Sequence, residues 1–213
     1  MNFFGNSFTA RRFALSVLGV SLLGGALTAC LPLVIGGAVG GGALVATDRR
    51  TSGTQLEDEG IELRALSRLR GEVGERSHVN LTSYGRQVLL TGEAASAQDK
   101  QLIEQIVSRV ENVRSIVNEI AVMGNSTLTQ RSSDALVTGR VKAMLIDAKD
   151  LQANAFKVVT ERGTTYLMGR VTQRESDRVT EVARGTPGVQ KVVRILEIIT
   201  PEELVRIQPT PLR

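Results

Sequence analysis

The sequence predicts an α+β protein made of two tandem αββαβ modules, each a three-stranded sheet with two helices on one face. Three observations carry that reading. The chain repeats itself at a spacing of 76 to 77 residues, each copy alternates helical and strand periodicity in the same order, and turn residues recur at matching places.

The repeat is read directly. "VNLTSYGRQVLLTGEA" (79–94) falls on "FKVVTERGTTYLMGRV" (156–171) at an offset of 77, with Gly92 on Gly169 and Leu90 on Leu167. "NVRSIVNEI" (112–120) falls on "GVQKVVRIL" (188–196) at 76. Ile61, Arg64, Ala65 and Leu69 fall on Val137, Arg140, Val141 and Leu145, also at 76. One-residue shifts are what connecting loops tolerate. The modules are placed at 57–123 and 133–200, with a linker at 124–132 and a tail at 201–213.

The elements follow in order. Val137, Val141 and Leu145 at i, i+4 and i+8 form one stripe of a helix, with Met144 expected beside them toward the core. Alternating runs at 156–161 and 164–170 flank Arg162-Gly163, a tight hairpin turn. Their counterparts are 79–84 and 87–93 around Gly85-Arg86. Second helices are expected at Ala97–Ser108 and Arg174–Arg184, the latter stopped by Thr186-Pro187-Gly188. β-Branched runs, Val113–Val122 and Val189–Thr200, close the copies. A module of about 65 residues sits near the lower limit for independent stability, so the two are expected to pack on each other or on flanking segments.

The amino-terminal region has a different logic. Arg11-Arg12, the apolar run Phe13–Leu27 and the small residues Thr28 and Ala29 have the order of a secretory signal, assigned to 1–29. Leu27-Thr28-Ala29-Cys30 resembles a bacterial lipobox, which implies cleavage before Cys30 and its modification with fatty-acyl chains such as palmitate. Burial of acyl chains is worth about 0.8 kcal/mol per CH2, and two or more chains anchor stably. Leu31 follows, not the Asp associated with inner-membrane retention, which implies an outer-membrane anchor on the periplasmic face. Residues 30–56 then read as the lipidated Cys and a glycine-rich tether. The 17 uncharged residues from Leu31 to Thr47 are also compatible with a packed interfacial segment.

Composition excludes several classes. One Cys and one His (His78) cannot complete a metal set, and no cofactor motif is present. His78 has Ala155 as its repeat partner and no triad companions, and Asp147 with Asp150 reads as a solvated helix end. No Gly-rich strand-to-helix turn is followed by Lys and Ser/Thr. The chain reads as no enzyme. Beyond residue 30 the aromatic residues are Tyr84, Phe156 and Tyr166, too few to stack nucleic-acid bases along a basic groove.

The αββαβ order, the strands "VLLTGEA" and "YLMGRV", and the V-x-x-V-like starts of the closing strands (Val113 and Ile116, Val189 and Val192) resemble the BON domain family. Two such modules behind a lipobox resemble its dual-module outer-membrane lipoproteins, over about residues 45–200. The resemblance implies phospholipid binding, through the first helix of the second module, and a role in envelope integrity. It also implies possible partners among envelope assembly or division proteins.

Charge favours the same module. Residues 57–123 hold eight Lys/Arg against eleven Asp/Glu, a net of −3, and 133–200 hold eleven against eight, a net of +3. Anionic phospholipid attracts each surface Lys or Arg by about 1 kcal/mol. In "DALVTGRVKAMLIDAKD", Leu136 shares a flank with Arg140 and Ala143, whereas its first-copy equivalent is Gly60. The candidate phospholipid-binding residues are therefore Leu136, Val137, Arg140, Val141, Lys142 and Met144. The alternative is a protein-interaction scaffold for envelope assembly or division machinery, with incidental lipid contact.

Overall fold

The computed structural model describes residues 48–207, which belong to one compact unit spanning 42–213. The signal segment, Cys30 and most of the tether lie outside the described residues, as do residues 208–213. Within them, two αββαβ modules follow one another.

In the first module, α1 (Ser52–Glu72) leads into the hairpin β1 (His78–Tyr84) and β2 (Gln87–Ala94), then α2 (Ala97–Ser108). The closing strand is interrupted: β3 (Ser115–Asn118) and β4 (Ala121–Val122) both run parallel to β2. The register is unchanged across the gap, Gln87 facing Ser115 and Glu93 facing Ala121, so two residues leave the ladder without any insertion. Asn118 marks the break, its side-chain oxygen accepting from the Ile120 amide at 3.2 Å.

The second module is α3 (Leu128–Asp147), β5 (Phe156–Glu161), β6 (Thr164–Val171), α4 (Gln173–Gly185) and an unbroken β7 (Lys191–Ile198). A short α5 (Pro201–Ile207) follows. In both sheets the second strand is central, antiparallel to the first and parallel to the last.

Three helices begin in segments expected to be irregular. Helix α1 starts inside 30–56 because the Thr51 hydroxyl accepts from the Thr54 amide. Helix α3 starts inside the linker 124–132, where Thr127 and Gln130 form a reciprocal capping box. Helix α5 lies in the tail 201–213, with Pro201 in its first turn and Glu203 accepting from the Thr200 amide at 2.9 Å.

Period-two alternation gives each sheet two apolar faces. Val88 and Leu90 of β2 pack beneath α1 and α2 with Ile61, Ala65, Leu69, Ile103 and Val107. Leu167 and Val171 of β6 do the same with Val137, Val141, Leu145 and Val179. The intervening residues point the other way: Leu89 and Tyr84 meet Tyr166, Met168 and Ile195 in a third core. That third core joins the modules back to back, with helices outside. Full burial of a Leu or Met side chain is worth about 1.5–3 kcal/mol, so this seam supplies what neither small module holds alone.

Gly92 and Gly169 occupy the same place in each copy. A β-carbon on Gly169 would lie 2.6 Å from the Ala155 carbonyl oxygen, and one on Gly92 would collide with that of His78. Only glycine lets the neighbouring strand approach so closely.

Candidate membrane-contact surface

Helix α3 is held to its module by a carboxylate. Asp134 is buried, and it accepts from the backbone amides of Arg162 at 2.8 Å and Gly163 at 3.0 Å. Both turn residues have positive φ, 51° and 72°, so the β5–β6 turn presents its amides to one acceptor. Asp58 of α1 does the same for Gly85 and Arg86 at 2.8 and 2.7 Å, and also receives Ser83 and Arg50. The sequence reading missed this pair of clasps. Its signal was available: Asp58 falls on Asp134 at the repeat offset of 76, three residues before Ile61 and Val137.

With Asp134, Val137, Val141 and Leu145 facing inward, the outer face of α3 is fixed. Val137 and Val141 are core residues, 4% and 0% exposed, so neither can touch a membrane; both leave the candidate set. Met144 turns outward at 45% exposure instead of joining the core. Thr138 explains the asymmetry: it accepts from the Thr160 amide, so β5 covers that flank and leaves the Met144 flank open.

Leu136 is 63% exposed and is not covered by the first module. Arg140 is also exposed, reaching the Pro187 carbonyl at 3.4 Å. Lys142 is exposed and makes no ion pair among the described residues. Ile146, 69% exposed, was not anticipated. At about 100° per residue, Leu136, Gly139, Ala143 and Ile146 fall within an arc of about 80°. Arg140 and Met144 lie on one side of that arc and Lys142 on the other. Asp147 is an opposing charge at its carboxyl-terminal end.

A cleft of about 330 Å³ adjoins this face. Lys142 and Ile146 of α3, Ala153, Asn154, Phe156 and Lys157 form one side, and Tyr84, Arg50 and Asp48 the other. Arg50 is tied to Asp48 at 2.7 Å and Asp58 at 2.8 Å, and its guanidinium lies 4.3 Å from the Tyr84 ring centre. Beside it, Arg49 is buried against Glu175 at 2.6 Å and donates to the Arg170 carbonyl. The chain leaving the tether is thus fastened to the second module before it enters the first. Burial alone would raise the Glu175 carboxyl, but the hydrogen bond and charge of Arg49, with hydrogen bonds from Thr172, hold it below its ordinary range.

A polar cluster lies at the other end of the seam. Glu93 accepts from the Ser126 amide and hydroxyl and pairs with Arg162 at 3.3 Å. Burial alone would raise its carboxyl, but these partners bring it below the ordinary range. Glu161 goes the other way, raised by burial and by the Glu93 and Asp134 carboxylates, although Asn80 donates to it at 2.7 Å. His78 is partly buried, and burial with nearby Arg131 lowers its pKa. Asp150 takes Arg178 at 3.1 Å, as suits a solvated helix end. Among the described residues, no group of three or more His, Cys, Asp or Glu could hold a metal, and no helix is long and apolar enough to cross a membrane.

The paired sheets, clasped hairpins and duplicated topology define a class: BON domains match residues 57–124 and 133–200, and the chain belongs to that family. It is 33% identical to the outer membrane lipoprotein DolP of Haemophilus influenzae over 176 residues, covering 81% of this chain and 90% of that one. Within the BON family the chain thus groups with the DolP-like outer-membrane lipoproteins. It is also 30% identical to a 21 kDa hemolysin of Actinobacillus pleuropneumoniae, covering 71% of this chain and 79% of that protein. A solved structure of the C-terminal domain of CdsD, from the type III secretion system of Chlamydia trachomatis, covers 65% of this chain and is itself 96% covered. Its TM-score of 0.28 and 11% identity are too slight to bear on fold or function.

Proposed function

We propose that this lipoprotein faces the periplasm and uses the outer face of α3 to engage anionic phospholipid, supporting envelope integrity. The observation that carries the reading is the exposed arc of Leu136, Ala143 and Ile146 with Arg140 and Lys142 on its two margins. An apolar centre between cations matches a headgroup boundary, where side chains enter the acyl region and charges meet phosphates. Such a surface is weak by itself. A tether raises its effective concentration at the bilayer to the millimolar range, about what a weak site needs.

The test uses a soluble fragment, residues 42–213, which holds all three cores and keeps Arg49. It should co-sediment with phosphatidylglycerol vesicles at low salt and release as salt rises, and phosphatidylcholine vesicles should not retain it. Failure to bind the anionic vesicles would sink the proposal. It would favour the scaffold reading, which has an observation of its own: Leu56 and Leu63 of the acidic first module are 71% and 70% exposed.

A further inference from the structure

We infer that the cleft between the modules seats the headgroup of one individual anionic phospholipid, its phosphate between Lys142 and Lys157 and its glyceride portion along Ile146. This rests on the membrane-surface reading above and adds a stoichiometric site to it. The volume, about 330 Å³, is at the lower end of the range of about 300–1,000 Å³ for small-molecule sites.

The lining is chemically divided. Arg50 and Asp48 neutralise each other, and Arg50 is further spent on Asp58, so that wall is rigid but contributes little net charge. The available cations are Lys142, which has no ion pair among the described residues, and Lys157, whose one counter-charge, Glu62, is 3.6 Å away with both side chains partly exposed. The same lining includes the largely buried Phe156 and Tyr84 rings and the exposed Ile146 side chain. Inorganic phosphate would use the lysines and leave the apolar wall empty. A choline headgroup would bring a cation to two ammonium groups. A glycerophosphate ester carrying acyl chains uses both halves.

Position supports the same occupant. Asp48, at the root of the tether, lines the cleft, so the cleft lies where the membrane-linked segment reaches the folded unit. Ile146 belongs both to the cleft and to the exposed arc of α3, which gives the acyl chains a continuous apolar path outward.

The experiment follows amide resonances of the 42–213 fragment while dihexanoyl phosphatidylglycerol is added below its micelle concentration. Saturable shifts are expected at Lys142, Ile146 and Lys157. Dihexanoyl phosphatidylcholine should leave these amides unmoved over the same range, and inorganic phosphate should shift only the lysine amides, weakly and without saturating, and leave Ile146 in place. Lys157→Glu should weaken the monomeric lipid about tenfold or more, since it removes one attraction and adds a repulsion of about the same size. Its unchanged spectrum elsewhere shows that it folds. Shifts confined to the Leu136 side, with Lys157→Glu silent, would overturn the cleft site and leave the surface reading standing. Equal shifts from inorganic phosphate would overturn the lipid as occupant. No response to monomeric lipid, together with no binding to anionic vesicles, would remove both.

Discussion

Helices α1 and α3 descend from one repeated element, yet their outer faces differ in a patterned way. At the offset of 76, Leu56, Gly60 and Leu63 of α1 fall on Ser132, Leu136 and Gly139 of α3, while Arg68 and Arg70 fall on Met144 and Ile146. Each helix exposes apolar side chains, so apolarity alone does not separate them. Placement against charge does. The leucines of α1 lie in the half of the helix that holds Glu57, Glu59 and Glu62, and Glu57 holds Arg64 at 2.7 Å. The apolar arc of α3 runs past Arg140 and Lys142. A membrane-facing helix is thus recognised here by which charges border its apolar residues. The bare contrast of Leu136 with Gly60 is too narrow a criterion, because Gly60 has an exposed leucine on each side of it in the chain.

The clasps give the largest effect by which the two modules can be compared. Asp58 serves two turn amides, Ser83 and Arg50, whereas Asp134 serves two turn amides alone. Removing a buried acceptor strands each donor at about 1–3 kcal/mol. Asp134→Ala should lower unfolding stability by about 3 kcal/mol and Asp58→Ala by more, measured by urea denaturation of the 42–213 fragment. Equal losses would mean that the Ser83 and Arg50 contacts are energetically idle.

Lipid binding separates the helices next. Leu136→Glu places a carboxylate on the arc and should weaken phosphatidylglycerol-vesicle binding about tenfold or more, from lost burial and added repulsion. Leu63→Glu, on the equivalent face of α1, should leave it unchanged. Both residues are well exposed, so neither change should disturb the fold. If both weaken binding alike, the two modules share the membrane and the charge argument fails.

Much of this architecture was legible because periodicity reports burial. The stripe Val137, Val141, Leu145 gave the inward face of α3 correctly, and the small size of each module gave the expectation, met by the third core, that the two would pack on each other. The helix starts were less visible, since Thr51 and Thr127 sit in polar runs where many residues could cap. Met144 was misread because it lies at the margin of the core stripe, where the neighbouring strand decides burial and the helix period does not. The clasping aspartates were missed for a related reason: an acid on a helix reads as solvated until the turn it binds is known. The cleft brings together residues as distant as Arg50 and Lys157, and no local pattern encodes that meeting.

The smallest effect concerns two buried glutamates at the module seam. Glu93 has a folded-state pKa below its ordinary value, so its contribution is present above the unfolded pKa and fades as pH falls through the folded one. Glu161 has a raised folded-state pKa, so its favourable contribution is present below the unfolded pKa and is lost as pH rises through the folded one. Each sign has a visible cause: burial raises both carboxyls, but at Glu93 it is outweighed by Arg162 and two Ser126 donors, whereas at Glu161 the carboxylates of Glu93 and Asp134 add to it against the Asn80 donor. Glu161→Gln keeps an acceptor for Asn80 while removing the charge. It should raise the thermal midpoint near neutral pH and leave it unchanged below about pH 4, where the carboxyl is already protonated. Glu93→Gln should do the opposite, lowering the midpoint near neutral pH with a loss that shrinks on acidification. Calorimetry across that range checks both, and a destabilising Glu161→Gln at neutral pH would show that its charge is needed by Arg131 more than it is opposed by its two acidic neighbours.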